Sequence, residues 1–302
     1  MKKIIKIITL TFLLIMIVNS FVFAQTDKRI TVGSKDFTES YVLGDIISQL
    51  LKHHGFRVEE KFGMAAAIAR SAILNRQIDI LPDYTGTALG TYFESDENIN
   101  DPVELYETVK KLDLEKNNLV WMGRTSFNNT YALAIKKDMI DEIGTTISDL
   151  AEYVNKKNGQ VTFAVNHTFY QRESDGIFPM AVEYNMNIVR ENVKPMDTGL
   201  TYTAIDRGQV DVAMVFGTDA KLRSFDLFVL EDDKHFFPIY NVSLVVRKEV
   251  FDRFPEIEEI LKPITEIIDT EMMINLNYEV DANGLPTKMV ADQFLKQHGL
   301  ID

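Results

Sequence analysis

Two stretches of this chain repeat one another. "AILNRQIDILPDYTGTAL" runs from Ala72 to Leu89, and "AIDRGQVDVAMVFGTDAKL" runs from Ala204 to Leu222. Aligned without gaps, Ala72, Ile73, Gln77, Asp79 and Ala88 recur as Ala204, Ile205, Gln209, Asp211 and Ala220. The Gly86-Thr87 step returns as Gly217-Thr218 after a one-residue shift, and Tyr84 falls opposite Phe216. Each unit reads as a helix end, a short buried strand and an aromatic residue. A chain that carries this unit twice is expected to build two similar lobes.

The surroundings of each unit agree. Ile30 to Val32 reads as a strand, Glu39 to His53 as a helix with Leu43, Ile46, Ile47, Leu50 and Leu51 on one face, "FRVEEKF" as a half-exposed strand and "MAAAIARSAILNRQ" as a second helix. Strand and helix in alternation are the grammar of a parallel sheet covered by helices. A second such unit follows, through "TTISDLAEYV", "VTFAVN", a helix over Leu200 to Arg207 and the strand "VDVAMVF". The tail is helical, with an apolar stripe through Ile257, Ile260, Leu261, Ile264 and Ile267. Two extended crossings, near Arg124 to Ile135 and near Phe237 to Val246, divide the chain into a discontinuous first lobe (25–135 and 237–302) and an inserted second lobe (136–236). The fold class is α/β, two lobes joined by two crossover strands. A small ligand is expected in the cleft between them, at the carboxyl ends of the strands.

The N-terminus belongs to neither lobe. Lys2, Lys3 and Lys6 precede an apolar run from Ile7 to Val18, and "VFA" ends in the small residue Ala24. Residues 1–24 read as a secretory signal peptide cleaved near Ala24. The other reading, a membrane anchor, fits less well because polar "QTDKR" follows at once. The chain carries a formal charge of −13, more negative still without the leader lysines, and it has no cysteine. An acidic chain without basic clusters argues against nucleic acid and anionic membrane as partners. The lack of cysteine excludes disulfides, thiol catalysis and a lipid-anchored N-terminal cysteine. The expectation is an exported, periplasmic protein, monomeric and freely diffusing.

Tyr84 and Phe216 end strands that point at the cleft, and Tyr131 in "NNTYALAI" and Tyr240 in "FFPIYN" lie in the crossings. A lone aromatic is usually core. Four that converge on a cleft suit a quaternary ammonium, which cannot donate hydrogen bonds but is attracted by ring faces at roughly 0.5–2 kcal/mol each. Lys35 in "GSKDFTE", Thr87 at the start of a helix in "TGTALGTYF" and Arg172 in "FYQRESDG" are able to receive a carboxylate. Either cation alone reads as solvated surface, but with the rings they describe a zwitterion site. Catalytic signals are weak. His53, His54, His167, His235 and His298 lack metal or triad spacing, Ser34 and Ser40 lack a nucleophile elbow, and "GTALG" has no P-loop lysine. Asp79 and Asp211 look paired, yet each opens a strand and reads as satisfying backbone groups at the helix–strand turn. No enzyme activity, metal or cofactor is expected.

Together, "GSKDFTES", "IDILPDYTGTAL", "NNTYALAI", "DDKHFFPIYN" and "LNYEVDANG" resemble the substrate-binding proteins of osmoprotectant ABC importers, the glycine betaine/carnitine/choline-binding, OpuAC-like family. The resemblance covers essentially all of the chain after the leader. It implies a type II periplasmic-binding-protein fold that closes on a quaternary ammonium osmolyte and delivers it to a membrane permease. It also implies a cage of Tyr84, Tyr131, Phe216 and Tyr240, with Lys35, Thr87 and Arg172 on the ligand carboxylate. Members often have tyrosine at the place of Phe216, glutamine at that of Ser40 and, where restricted to choline, an acid at that of Thr87. The threonine favours a ligand with a carboxylate, or a broad range. A binding protein for another small solute, an amino acid or polyamine, is the alternative; it would need a cleft carboxylate, and Asp83 is the nearby candidate.

Overall fold

The computed structural model describes residues 28–302 apart from 96, 98 and 174. The expected signal peptide lies outside the described residues. Ten strands form two five-stranded sheets. The first holds β1 (Arg29–Lys35), β2 (Arg57–Met64), β3 (Ile80–Tyr84), β4 (Leu119–Met122) and β10 (Val242–Arg247) in the order β2-β1-β3-β10-β4. The second holds β5 (Tyr131–Lys136), β6 (Phe163–Asn166), β7 (Val193–Met196), β8 (Val212–Phe216) and β9 (Leu227–Val229) in the order β7-β6-β8-β5-β9.

The two sheets are built alike. In each, three parallel strands are followed by an antiparallel fourth that arrives through a crossing: β10 pairs with β3, and β5 pairs with β8. Each lobe therefore receives its fourth strand from a chain segment returning from the other. The likeness reaches residue level. Helix α2 (Ala66–Leu74) and its counterpart α6 (Thr198–Asp206) have nine residues each, and β3 and β8 have five, at one constant offset. The turn between them also repeats: the N–H of Gln77 donates to Ala72 O at 2.8 Å, and that of Gln209 to Ala204 O at 2.9 Å.

One boundary differs from expectation. Residues 131–135, read from the sequence as first lobe, hydrogen-bond into the second sheet, where Tyr131 pairs with Phe216 and Leu133 with Met214. The physical reason is that "YALAI" is buried on both faces, and β8 needs an antiparallel partner there. The crossings are accordingly shorter, about 123–130 and 238–241, and a bridge between Asn128 and Asn241 ties them together.

Both faces of each sheet are covered. In the first lobe Ile30, Val32 and Ile80 pack against α1 (Thr38–His53) through Val42, Leu43, Ile46 and Leu50. The tail joins this core through Ile257, Leu261 and Ile264, and α9 (Thr287–Gln297) through Val290, Phe294 and Leu295. Ile260 and Ile267 complete the stripe at its half-buried edge. The opposite face holds Leu81, Leu105, Val109 and Trp121. In the second lobe, Phe163, Val165, Val212 and Met214 pack on one side of the sheet, Ala213 and Val215 on the other. Helix α4 (Ile147–Lys156) starts at Thr146 with a capping box to Asp149, as "TTISDL" suggests. No helix among the described residues is long and apolar enough to cross a membrane.

Candidate functional site

Because side chains alternate along a strand, the last residue of β3 shares a face with Ile80, and the last residue of β8 shares one with Val212 and Met214. Tyr84 and Phe216 thus leave equivalent points of the two sheets, toward the region where the crossings meet. Their surroundings differ.

Phe216 stands in a group of rings. Its register partner Tyr131 lies 5.2 Å from it between centroids, and Phe169 stacks on Tyr131 at 5.1 Å and 25°. The Arg172 guanidinium lies over the Tyr131 ring at 5.5 Å. Arg172 is held by Asp175: Nε donates to Oδ1 at 2.5 Å and Nη2 to Oδ2. Tyr240 enters from the return crossing, its N–H fixed by Asn128 Oδ1 at 2.7 Å. Burial raises the Tyr240 phenol above its ordinary range, with Arg172 opposing, so it stays a neutral hydroxyl. Gly86 faces this ring at a close approach; a Cβ there would lie 2.4 Å from Ile239 O and 3.0 Å from the Tyr240 ring. Tyr240, Arg172, Asp175 and Gly86 share a cavity of about 600 Å³. All of Tyr131, Phe216, Arg172 and Tyr240 are half-buried.

Tyr84 is 4 % exposed and enclosed. Its hydroxyl donates to Glu39 Oε1 at 2.5 Å, Phe37 tilts against it at 6.0 Å, and the Lys35 ammonium lies 4.7 Å from its ring centroid. Lys35 Nζ donates to Asp83 Oδ1 at 2.6 Å, inside the protein. Asp83 also accepts from the Tyr92 hydroxyl at 3.1 Å and from the N–H of Tyr84 at 2.8 Å. Arg70 lies over Tyr92 at 4.4 Å and forms a two-pronged pair with Asp113 at 2.8 and 2.6 Å. Rings and alternating charges thus run without a break from Asp113 to Glu39. Asn129, in the first crossing, donates to Glu39 Oε1 at 3.1 Å and links the chain of contacts to the cleft.

The residues that the sequence groups into one site fall along a row of contacts: Tyr131 lies against Phe216 and Arg172, Arg172 shares a cavity with Tyr240, Lys35 lies over Tyr84, and Glu39 on the Tyr84 hydroxyl shares a second cavity with Phe216. Thr87 is half-buried in the helical turn Thr85–Thr87 directly after Tyr84, but does not line the cavity of Arg172 and Tyr240. Ser40 supports the site from below, accepting the N–H of Lys35 at 2.8 Å. Asp79 and Asp211 serve backbone groups, but across to the neighbouring strand and not within their own helix–strand turn: Asp79 Oδ2 accepts the N–H of Thr31 at 2.7 Å and Asp211 Oδ2 that of Thr162 at 2.8 Å.

A family model for the substrate-binding domain of ABC-type glycine betaine transport systems matches residues 28–297. The chain belongs to this family. It is 39% identical over 281 residues to a glycine-betaine-binding protein of Pseudomonas aeruginosa, spanning 91% of this chain and 89% of that protein. Among solved structures, apo YehZ from Escherichia coli superposes with a TM-score of 0.81 at 32% identity, over 90% of this chain and 99% of that one. A glycine betaine/carnitine/choline ABC transporter structure superposes with a TM-score of 0.84 at 28% identity, over 90% of this chain and all of that one. As a member of the betaine-binding family the protein is a solute-binding component of an ABC importer and not an enzyme, and its two five-stranded sheets are the architecture of periplasmic binding proteins.

Sequence reasoning missed Glu39, Asp175 and Asn129, which hydrogen-bond to Tyr84, Arg172 and Glu39. Asp175 had a signal, an acid three residues beyond Arg172 in a segment where Gly176 marks a turn after the helix His167–Gln171. Glu39 and Asn129 had none, because their partners lie 45 and 90 residues away along the chain.

Proposed function

We propose that the protein captures a carboxylate-bearing quaternary ammonium osmolyte, glycine betaine foremost, and presents it to the membrane permease of an ABC importer. The observation that carries this reading is the open group of Tyr131, Phe216 and Tyr240 between the lobes, with the Arg172 guanidinium beside it. Ring faces attract the diffuse charge of a methylated ammonium, at roughly 0.5–2 kcal/mol per ring, while its methyl groups pack against them. The Arg172 guanidinium retains an N–H edge for the carboxylate beside its bond to Asp175. In this reading Tyr84 backs the cage from the first lobe, and Lys35 and Thr87 lie toward the ligand carboxylate.

A ligand that touches both lobes favours the closed state by its differential affinity, and closure exposes the surface a permease reads. The lobes hinge at the short crossings. The protein works outside the cytoplasm as a monomer, its leader removed near Ala24. An amine-bearing solute, such as an amino acid or polyamine, would need a free carboxylate in the cleft. Asp83 is engaged by Lys35 and Tyr92, which favours the methylated cation instead.

Calorimetric titration of the purified protein with glycine betaine, carnitine and choline tests the proposal. Saturable binding of at least one of them, at micromolar concentration, is expected. Absence of binding by all three below millimolar concentration would overturn it.

A further inference from the structure

The proposed binding mode leaves Glu39 unexplained. This carboxyl is 2 % exposed near the start of α1, with the Tyr84 hydroxyl and the Asn129 amide both donating to Oε1. Its other oxygen, Oε2, is buried with no hydrogen-bond donor. The same is true of Oδ1 of Asn277, on helix α8 (Thr270–Asp281), whose amide nitrogen reaches across to Thr218 O of the second lobe at 2.9 Å. Asn277 and Thr218 lie close enough to the Glu39 carboxyl to offset part of its desolvation, which nonetheless dominates and raises its pKa. A carboxyl this buried, with one oxygen short of a fixed partner, is costly to keep charged even with Thr218 and Asn277 beside it. A proton on Glu39 removes the charge that burial penalises and gives that oxygen a hydrogen to donate.

The charges around the cleft make that proton matter. Lys35 is balanced by Asp83, Arg172 by Asp175 and Arg70 by Asp113. On the wall of the cavity that Glu39 shares with Phe216, Asp219 and Lys221 come from the second lobe and offset one another. Asp281 on α8 faces solvent there and accepts from the Thr38 hydroxyl at 2.7 Å. An ionised Glu39 would therefore add one uncompensated buried negative charge beside the rings.

Resting on the betaine reading above, we propose that Glu39 is protonated in the closed protein and acts as a specificity determinant. Its neutral state leaves the cleft without surplus charge, matched to a net-neutral betaine and not to a singly charged cation such as choline. The direction with pH follows. When the lobes part, Thr218 leaves Glu39 and water reaches the carboxyl, which removes the burial that raises its pKa. Closing on a betaine from the ionised open state takes up a proton, so betaine affinity falls as pH rises. Choline supplies the counter-charge an ionised Glu39 needs, and its affinity falls less.

The test is calorimetric titration of the intact protein with glycine betaine and with choline between pH 5 and 8.5, in two buffers of different ionisation heat, for the wild type and Glu39→Gln. The betaine-to-choline affinity ratio of the wild type is expected to fall by about tenfold or more across the range, the scale of one partly screened unit charge, with net proton uptake on betaine binding. His235 also lines the cavity of Arg172 and Tyr240, so the variant decides between them: Glu39→Gln, neutral at every pH, is expected to hold the ratio flat. A flat wild-type ratio without proton uptake, or a Glu39→Gln ratio that still follows pH, overturns the inference. Should the variant fail to fold, His235→Asn takes its place: it is expected to keep the pH dependence of the ratio, and a flat ratio there overturns the inference. Failure of the wild type to bind either ligand would instead strike the betaine reading itself.

Discussion

Tyr84 and Phe216 occupy the same position in two copies of one structural unit, yet their surroundings have diverged. Phe216 ends its strand among half-buried rings beside a guanidinium. Tyr84 ends its strand in an enclosed network, with a lysine over its face and the Glu39 carboxyl on its hydroxyl. A duplicated backbone delivers an aromatic residue to the same place twice, and the neighbouring charges decide what each ring does. The first lobe's copy is anchored, and the second lobe's copy is presented.

The sharpest way to break this contrast is to remove an anchor. Asp83→Ala leaves the Lys35 ammonium buried without its carboxylate, and loss of one partner of a buried pair costs about 3–5 kcal/mol. Urea unfolding is expected to show a loss of that size. A loss below about 1 kcal/mol would mean that Lys35 finds water or another partner, and that the first-lobe network is no more than packing.

Tyr84→Phe is next. It keeps the ring and removes the donor to a buried Glu39, at about 1–3 kcal/mol of stability. Phe216→Ala should do the reverse. Its ring is half-buried, so most of the effect is expected in ligand affinity, a loss of roughly 1–3 kcal/mol from cation–π attraction and packing, with the unfolding midpoint little changed. Equal losses of stability and unchanged affinity in both variants would erase the distinction between anchored and presented rings.

Much of this was legible in the sequence, and its limits have physical causes. The repeat placed α2 on α6 and β3 on β8 at a constant offset, because a helix–turn–strand unit is encoded by neighbours in the chain. The stripe of Ile257, Leu261 and Ile264 was legible because helical periodicity is local too. Residues 131–135 were assigned to the wrong lobe because an apolar run shows that a strand is buried, but not which sheet buries it. The pairing of Lys35 with Asp83 was hidden for a related reason. Both were noticed singly, one as a ligand contact and one as a possible amine acceptor, but only β1 and β3 lying side by side bring them to 2.6 Å. Glu39 left no local trace at all, since its significance comes from burial between lobes.

The smallest expected effect tests the repeat itself, away from the site. The turn after α2 places Arg76 at φ 60°, and the turn after α6 places Gly208 at φ 66°, each just before a glutamine N–H that bonds back to the helix. The left-handed backbone costs a residue with a Cβ about 1 kcal/mol, and glycine almost nothing. Gly208 is surrounded by open space, so Gly208→Ala meets no clash and pays only for its backbone, a destabilisation of about 1 kcal/mol. Arg76→Gly should gain a few tenths of a kcal/mol to about 1 kcal/mol, the relief of φ being reduced by the greater freedom of glycine in the unfolded chain. Opposite signs in urea midpoints are the expected result. A stabilising Gly208→Ala would show that the two turns are not the same device, and that the likeness of the lobes stops at the strands.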